Sequence, residues 1–214
     1  MSKLKSEVIK YSKKLNITNL SALRSGNISA RAKEKGVDGF YITPSGRKYS
    51  SLKTKDIVFV SLKGVYDKKK GKPSSEWRFH QDIYIKKRDA QAIVHTHSTN
   101  ATALSVHKKP IPAFHYMVAL AGGNDIKCAK YATYGTRELS KNILKALNNR
   151  KACLIANHGQ IAFDSNLPDA FELAQEVENL SLQYITALKL GKPKNLSDKE
   201  MNKVLKKAKN YKRG

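Results

Sequence analysis

Two short apolar runs in this chain each carry histidine at what reads as a strand end. "QAIVHTH" covers residues 91–97, and "ACLIANHGQIAF" covers 152–163. The first predicts a strand that delivers His95 and His97. Side chains alternate between faces along a strand, so these two imidazoles point the same way. The second predicts two strands joined at Asn157-His158-Gly159, with a third histidine at the turn. Gly159 beside it allows a backbone conformation that other residues resist. The ends of strands in a mixed sheet are where ligands converge, so the three rings constrain the fold as well as the chemistry.

The rest of the chain supplies a sheet and its cover. Leu4, Val8, Ile9, Tyr11 and Leu15 suit an amphipathic helix over 3–15. "SGNISAR" (25–31) and "GFYIT" (39–43) read as strands around the turn-prone "KEKGVDG", and "DIVFVSL" (56–62) as another. After the loop "KKKGKPSS" (68–75), "SEWRFHQDIYIKKR" (75–88) predicts a helix, with Ser75 placed to cap it and Glu76 in its first turn. Ser98 is placed to cap the next helix, and "TRELSKNILKALNN" (136–149) predicts a further one. Leu173, Val177, Leu180, Tyr184 and Leu188 form a stripe on a long helix running from near Pro168 to Gly191. "SDKE" (197–200) reads as a capping box that opens a C-terminal helix. Helices and strands alternate irregularly, without repeat or linker. This predicts one α/β domain over 1–214, a mixed sheet covered by helices.

Composition narrows the class. A 40% hydrophobic content over 214 residues suits a globular chain with a sizeable core. No apolar run reaches the length of a membrane span, and "MSKLKSEVIKYSKKLNI" lacks the apolar block of a signal peptide. Cys128 and Cys153 alone do not make a disulfide framework, so a reduced, cytoplasmic setting is expected. The formal net charge of +24 attracts polyanions and phosphorylated metabolites alike. The lysines are spread from Lys3 to Lys212, however, with no recognisable nucleic-acid motif, so solvated faces are the expected reading and no dedicated nucleic-acid role.

The chemistry gathers in a few positions. His95 and His97 supply half of a tetrahedral zinc shell, and His158 is a candidate third ligand. Glu76 could complete the set or serve as a base. Taken singly, the pair also fits two hydrogen-bonded polar residues, His158 a structural histidine and Glu76 a helix-capping acid. The loops "RSGNIS", "TPSGR" and "KPSSE" are rich in hydroxyls, amides and free N–H groups, and the last leads into a helix N-terminus. That combination suits a phosphate.

These residues resemble a known family. "GNISAR", "ITPSG", "PSSEWRFH", "VHTHS", "IPAFHYM", "AGGNDI", "YATYGTREL", "NRKACLIANHGQIA" and "AFELAQEVENLSLQY" are similar to segments of the class II, zinc-dependent sugar-phosphate aldolases of the aldolase/adducin superfamily, fuculose-type branch. The resemblance covers nearly the whole chain. It implies a three-layer α-β-α sandwich with a mixed, largely antiparallel sheet, a mobile C-terminal tail, and a homotetramer with sites between subunits. It makes His95, His97 and His158 the zinc ligands, with one Zn2+ per subunit. Glu76 becomes a resting ligand that turns acid/base with substrate bound. Asn27, Ser45, Gly46, Ser74 and Ser75 become the phosphate cradle. Tyr116 reaches into the neighbouring subunit's site, Tyr134 borders the aldehyde pocket, and Tyr211 lies on the tail.

The implied reaction is reversible cleavage of a ketose 1-phosphate, above all L-fuculose 1-phosphate, to dihydroxyacetone phosphate and a short aldehyde such as L-lactaldehyde. Such a cleavage leaves negative charge beside a ketone, which a Lewis-acidic metal spreads and a carboxylate quenches with a proton. The same site could serve 5-deoxyribulose, rhamnulose or methylthioribulose 1-phosphate. A phosphopentose 4-epimerase agrees less with "SSEWRFH" and "IPAFHYM". A non-catalytic adducin-like module would be expected to have lost metal ligands that this chain keeps.

Overall fold

The computed structural model describes residues 2–211. The chain opens with helix α1 (Ser2–Ile17), followed by strands β1 (Asn27–Glu34), β2 (Val37–Ile42) and β3 (Val58–Ser61). Helix α2 (Trp77–Lys86), strand β4 (Ala92–Thr96) and helix α3 (Thr99–Ser105) come next. A 3-10 segment (Tyr116–Ala121) precedes β5 (Cys128–Ala129), α4 (Arg137–Ala146), β6 (Ala152–Ile155) and β7 (Gly159–Asp164). The long helix α5 (Leu167–Lys189) and then α6 (Asp198–Tyr211) follow. Among the described residues the sheet has seven strands, in the order β3-β2-β1-β4-β7-β6-β5. Every pairing is antiparallel except that of β5 with β6.

Period-two alternation divides the core into the two halves of an α-β-α sandwich. Ala92 and Val94 of β4 face a layer that includes Val8 and Leu15 of α1, Leu104 of α3, Val177 of α5 and Met201 of α6. Ile93 faces the opposite layer, where Phe79 and Ile83 of α2 meet Leu139 and Ile143 of α4. Each layer buries the apolar face of its helices, which is where most of their stability arises. The C-terminal stretch is helical through Tyr211, and α6 packs on the Tyr116–Ala121 segment. Ser197 accepts from the Glu200 N–H at 3.2 Å, as its capping position predicts.

The register of the central strands sets the site. β4 lies between β1 and β7, which puts Asn27 opposite His95 and Gln160 opposite Thr96. The backbones crowd at that end. A Cβ on Gly26, whose φ is +77°, would sit 2.6 Å from the His95 carbonyl oxygen. One on Gly159 would sit 2.3 Å from that of Thr96, so neither position tolerates a side chain without a shift.

Two expected caps are replaced. Ser75 does not cap α2: Glu76 occupies the N-cap position with no side-chain cap bond, because its carboxylate turns inward to the histidines. Ser98 occupies the N-cap of α3 but its side chain caps nothing. Its hydroxyl instead accepts from Gln160 Nε2 at 3.0 Å. Glu178 of α5 takes over the capping, accepting from the Asn100 and Ala101 N–H groups at 2.8 and 2.9 Å. A carboxylate on first-turn N–H groups is favoured by both hydrogen bonding and the helix dipole.

Candidate metal and phosphate site

His95 and His97 leave the end of β4 on one face, as strand alternation predicts, and the β6–β7 turn brings His158 beside them. The Nε2 atoms of His95 and His97 are 3.0 Å apart. Glu76, at the start of α2, completes the group: Oε2 lies 3.2 Å from His95 Nε2 and Oε1 lies 3.3 Å from His158 Nε2. One ligand atom from each of the four residues falls within 4.8 Å of all the others. Asn157, in the turn before His158, takes a left-handed φ of 55° that asparagine tolerates better than most residues.

The neighbours decide which atoms face the centre. His95 Nδ1 is 2.8 Å from the carbonyl oxygen of Gln160. A carbonyl only accepts, so Nδ1 carries a proton and Nε2 is the atom that turns toward the cluster. Burial, with the charges of His95 and His158 behind it, holds His97 at about 3. Burial and then His95 hold His158 at about 4. Burial pushes the Glu76 carboxyl up, but charge and hydrogen bonding from His95, the charge of His158 and the Asn27 amide outweigh it and hold it at about 2. At neutral pH Glu76 is therefore a carboxylate and His97 and His158 are unprotonated, donors of the kind that zinc takes. Glu76 Oε1 is buried and makes no hydrogen bond, an orphaned acceptor that a bound cation would satisfy. The residues fit a divalent metal.

Beside the cluster lies a cavity of about 360 Å³. Asn27, Ser45, Gly46, Ser74, Ser75 and Tyr134 all line it, together with Glu76, His97 and His158. Local bonds shape these loops: Ser45 N–H donates to the Lys72 carbonyl at 3.0 Å, and Ser74 N–H to that of Thr43 at 3.0 Å. Ser74 Oγ accepts from the Glu76 N–H at 3.3 Å. Asn27 is more occupied than a phosphate ligand needs to be. Its Nδ2 donates to Glu76 Oε2 at 2.9 Å and its Oδ1 meets His80. Tyr134 stands 66% exposed at the rim.

One expected residue is not brought to its own chain's cavity, and the side chain of another lies outside the described residues. Tyr116, 53% exposed, begins the 3-10 segment and does not line it. Tyr211 closes α6, and its side chain lies outside the described residues. The structure adds Arg24, which lines the cavity and donates to the Gly46 carbonyl at 3.1 Å. It sits at the head of the "RSGNIS" loop, the one signal that could have marked it.

With the geometry in hand, comparison with known proteins places the chain. The family model for the class II aldolase and adducin N-terminal domain matches residues 6–185. The chain belongs to the class II aldolase and adducin family. It is 46% identical to the 5-methylthioribulose-1-phosphate/5-deoxyribulose-1-phosphate aldolase of Rhodospirillum rubrum, over 97% of this chain and 92% of that protein. It is also 46% identical to an L-fuculose phosphate aldolase of Escherichia coli O6:H1, over 98% of this chain and 96% of the other. A solved L-fuculose 1-phosphate aldolase superposes with a TM-score of 0.92 at 42% identity, covering 98% of this chain and 97% of its own. Among the described residues, no helix of this family member is long and apolar enough to cross a membrane.

His97 and His158, held neutral by burial, make stability depend on pH. Their folded values lie below the ordinary value of about 6.5, so the unfolded chain binds more protons as pH falls. Glu76, held below the ordinary carboxylate range, acts in the same direction at lower pH. The metal-free protein is expected to lose thermal stability steadily from about pH 6.5 to pH 4. Calorimetry across that window checks this; a constant Tm would contradict the burial of neutral rings.

Proposed function

We propose that the chain is a zinc-dependent aldolase that reversibly cleaves a ketose 1-phosphate, L-fuculose 1-phosphate first, to dihydroxyacetone phosphate and a short aldehyde such as L-lactaldehyde. One observation carries the reading. The convergence of His95, His97, His158 and Glu76 opens into a cavity walled by hydroxyl- and amide-bearing loops. A metal-ligating set and an anion-binding wall in one cleft suit a phosphorylated, oxygen-rich substrate better than either suits alone.

His95, His97 and His158 would hold the zinc, with Glu76 as a fourth ligand at rest. Bound there, zinc supplies a Lewis acid to the substrate's oxygens. The chain's own residues do the rest. Ser45, Gly46, Ser74, Ser75 and Arg24 take the phosphate and fix the substrate's register against Glu76. The hydroxyl proton on the aldehyde-forming carbon passes through the phenol of the neighbouring subunit's Tyr116 to the Glu76 carboxylate, its oxygen becomes a carbonyl, and the adjacent carbon–carbon bond breaks. The electron pair stays on the dihydroxyacetone phosphate half, where Glu76 returns a proton through Oε1. Tyr116 of a neighbouring subunit serves the aldehyde-side oxygen, within the homotetramer that the family resemblance implies. Its exposure and its absence from its own chain's cavity lining support this placement. The same chemistry on 5-methylthioribulose or 5-deoxyribulose 1-phosphate is the second reading, favoured by the equal identity to the Rhodospirillum rubrum enzyme. Tyr134 at the rim is placed to choose among the aldehydes.

An aldolase assay across these ketose 1-phosphates, with metal analysis of the same sample, tests the reading. Glu76→Gln keeps the shape and removes the charge. Turnover is expected to fall roughly a hundredfold or more while substrate still binds. Near-normal turnover would reduce Glu76 to a structural acid.

A second test concerns sharing. An inactive Tyr116→Phe protein and an inactive Glu76→Gln protein are mixed under conditions of subunit exchange, with exchange followed by native mass spectrometry. Shared sites restore activity, since some interfaces then join both intact residues. Confirmed exchange without activity would place both residues in one chain's site.

A further inference from the structure

Glu76 is the first contact in a buried polar ladder between β1 and α2. Asn27 and Ser29 lie two residues apart on one face of β1; Glu76, His80 and Tyr84 lie four apart around α2. Two strand residues advance about 6.6 Å and four helical residues about 6 Å, so the rungs stay in step. Asn27 Nδ2 donates to Glu76 Oε2 at 2.9 Å, and Asn27 Oδ1 meets His80 Nε2. His80 Nδ1 is 2.7 Å from Ser29 Oγ, which is 2.7 Å from the Tyr84 hydroxyl. Asn27, Ser29, His80 and Tyr84 are each at most 2% exposed.

The direction of every bond follows from the carboxylate. An ionised carboxylate only accepts, so the Asn27 amide must turn its nitrogen to Glu76 and its oxygen to His80. That oxygen only accepts, so His80 Nε2 must carry a proton. The ring is neutral, because burial above all holds it at about 3. Its Nδ1 therefore accepts from the Ser29 hydroxyl, whose oxygen accepts from Tyr84. The imidazole is fixed in plane by Phe40 and Phe79, stacked on it at interplanar angles of 18° and 22°. Without the Nε2 proton, the Asn27 amide could turn its oxygen toward the carboxylate.

We infer that His80 is a positioning residue. By donating from Nε2 it locks the Asn27 amide, which pins Glu76 Oε2 and leaves Oε1 as the oxygen that handles the proton. The effect on turnover rests on the aldolase reading above; the tautomer of His80 does not. It also assigns Asn27 to the carboxylate as well as to the phosphate wall.

Two measurements test it. Nitrogen NMR of metal-free, 15N-histidine-labelled protein at neutral pH is compared with His80→Gln, and the signals that vanish are expected to be those of an Nε2–H ring. An Nδ1–H ring would overturn the inference. In zinc-loaded protein, His80→Phe keeps the stack and removes both bonds. It is expected to lower kcat about 10- to 100-fold, as lost outer-shell partners typically do, with KM and metal content unchanged. His80→Gln, which puts an amide N–H near the old Nε2, is expected to recover most of the loss. If His80→Phe does not fold, His80→Asn takes its place, since its shorter amide satisfies Ser29 and not Asn27. Normal kcat in the loss variant, equal loss in His80→Gln, or a loss of metal instead of rate would each overturn the inference. If the wild type cleaves no ketose 1-phosphate, the aldolase reading fails by itself and the tautomer alone decides the ladder.

Discussion

The structure turns on a buried carboxylate. Glu76 is 7% exposed and sits against His95 and His158 at the ends of two different strand segments. A carboxylate without partners there would cost several kcal/mol and would take up a proton instead. It stays ionised because donors and imidazoles surround it, and they surround it because β1, β4 and β7 are adjacent in the sheet. The register of three strands and the start of one helix thus meet in a single charge. Much of the local backbone serves this meeting: Gly26 and Gly159 let the strands close in, and Glu178 frees Ser98 from capping so that it can hold Gln160.

That arrangement explains why a site for chemistry and a well-packed core share one strand end. β4 is buried along its whole length, so its polar end must be satisfied from within. The Gln160 carbonyl fixes the tautomer of His95, and the Asn27–His80 pair fixes the outer side of Glu76. What remains without a hydrogen bond is Oε1 of Glu76, a residue that lines the cavity. The rim is built differently. Tyr134 stands exposed there, and Tyr116, also exposed, lies outside the cavity lining.

Local patterns in the sequence revealed a good part of this. The alternation in "QAIVHTH" gave β4 and the shared face of His95 and His97, and "ANHGQ" gave the β6–β7 turn with His158. Both readings rest on the period of two, which burial enforces. Caps were read less well. Ser75 and Ser98 have the residue type and spacing of caps, but partners distant in sequence claim the positions or the hydroxyls. Glu178 is 78 positions from Asn100, and no local pattern announces such a pairing. His80 lies one helical step beyond Glu76 and so was visible as a same-face neighbour; its partner Asn27 is 53 positions away, which hid the ladder. The expectation for Tyr116 came from the family resemblance, since it does not line its own chain's cavity.

The central claim is that the three imidazoles and Glu76 form one metal centre. Anomalous diffraction on both sides of the zinc absorption edge, from crystals of protein purified without chelator, tests it most directly. A single peak is expected about 2 Å from the Nε2 atoms of His95, His97 and His158, with His95 still bonded to the Gln160 carbonyl. Crystals that show no peak there, with the imidazoles still in mutual contact, or zinc bound only elsewhere on the chain, would contradict it.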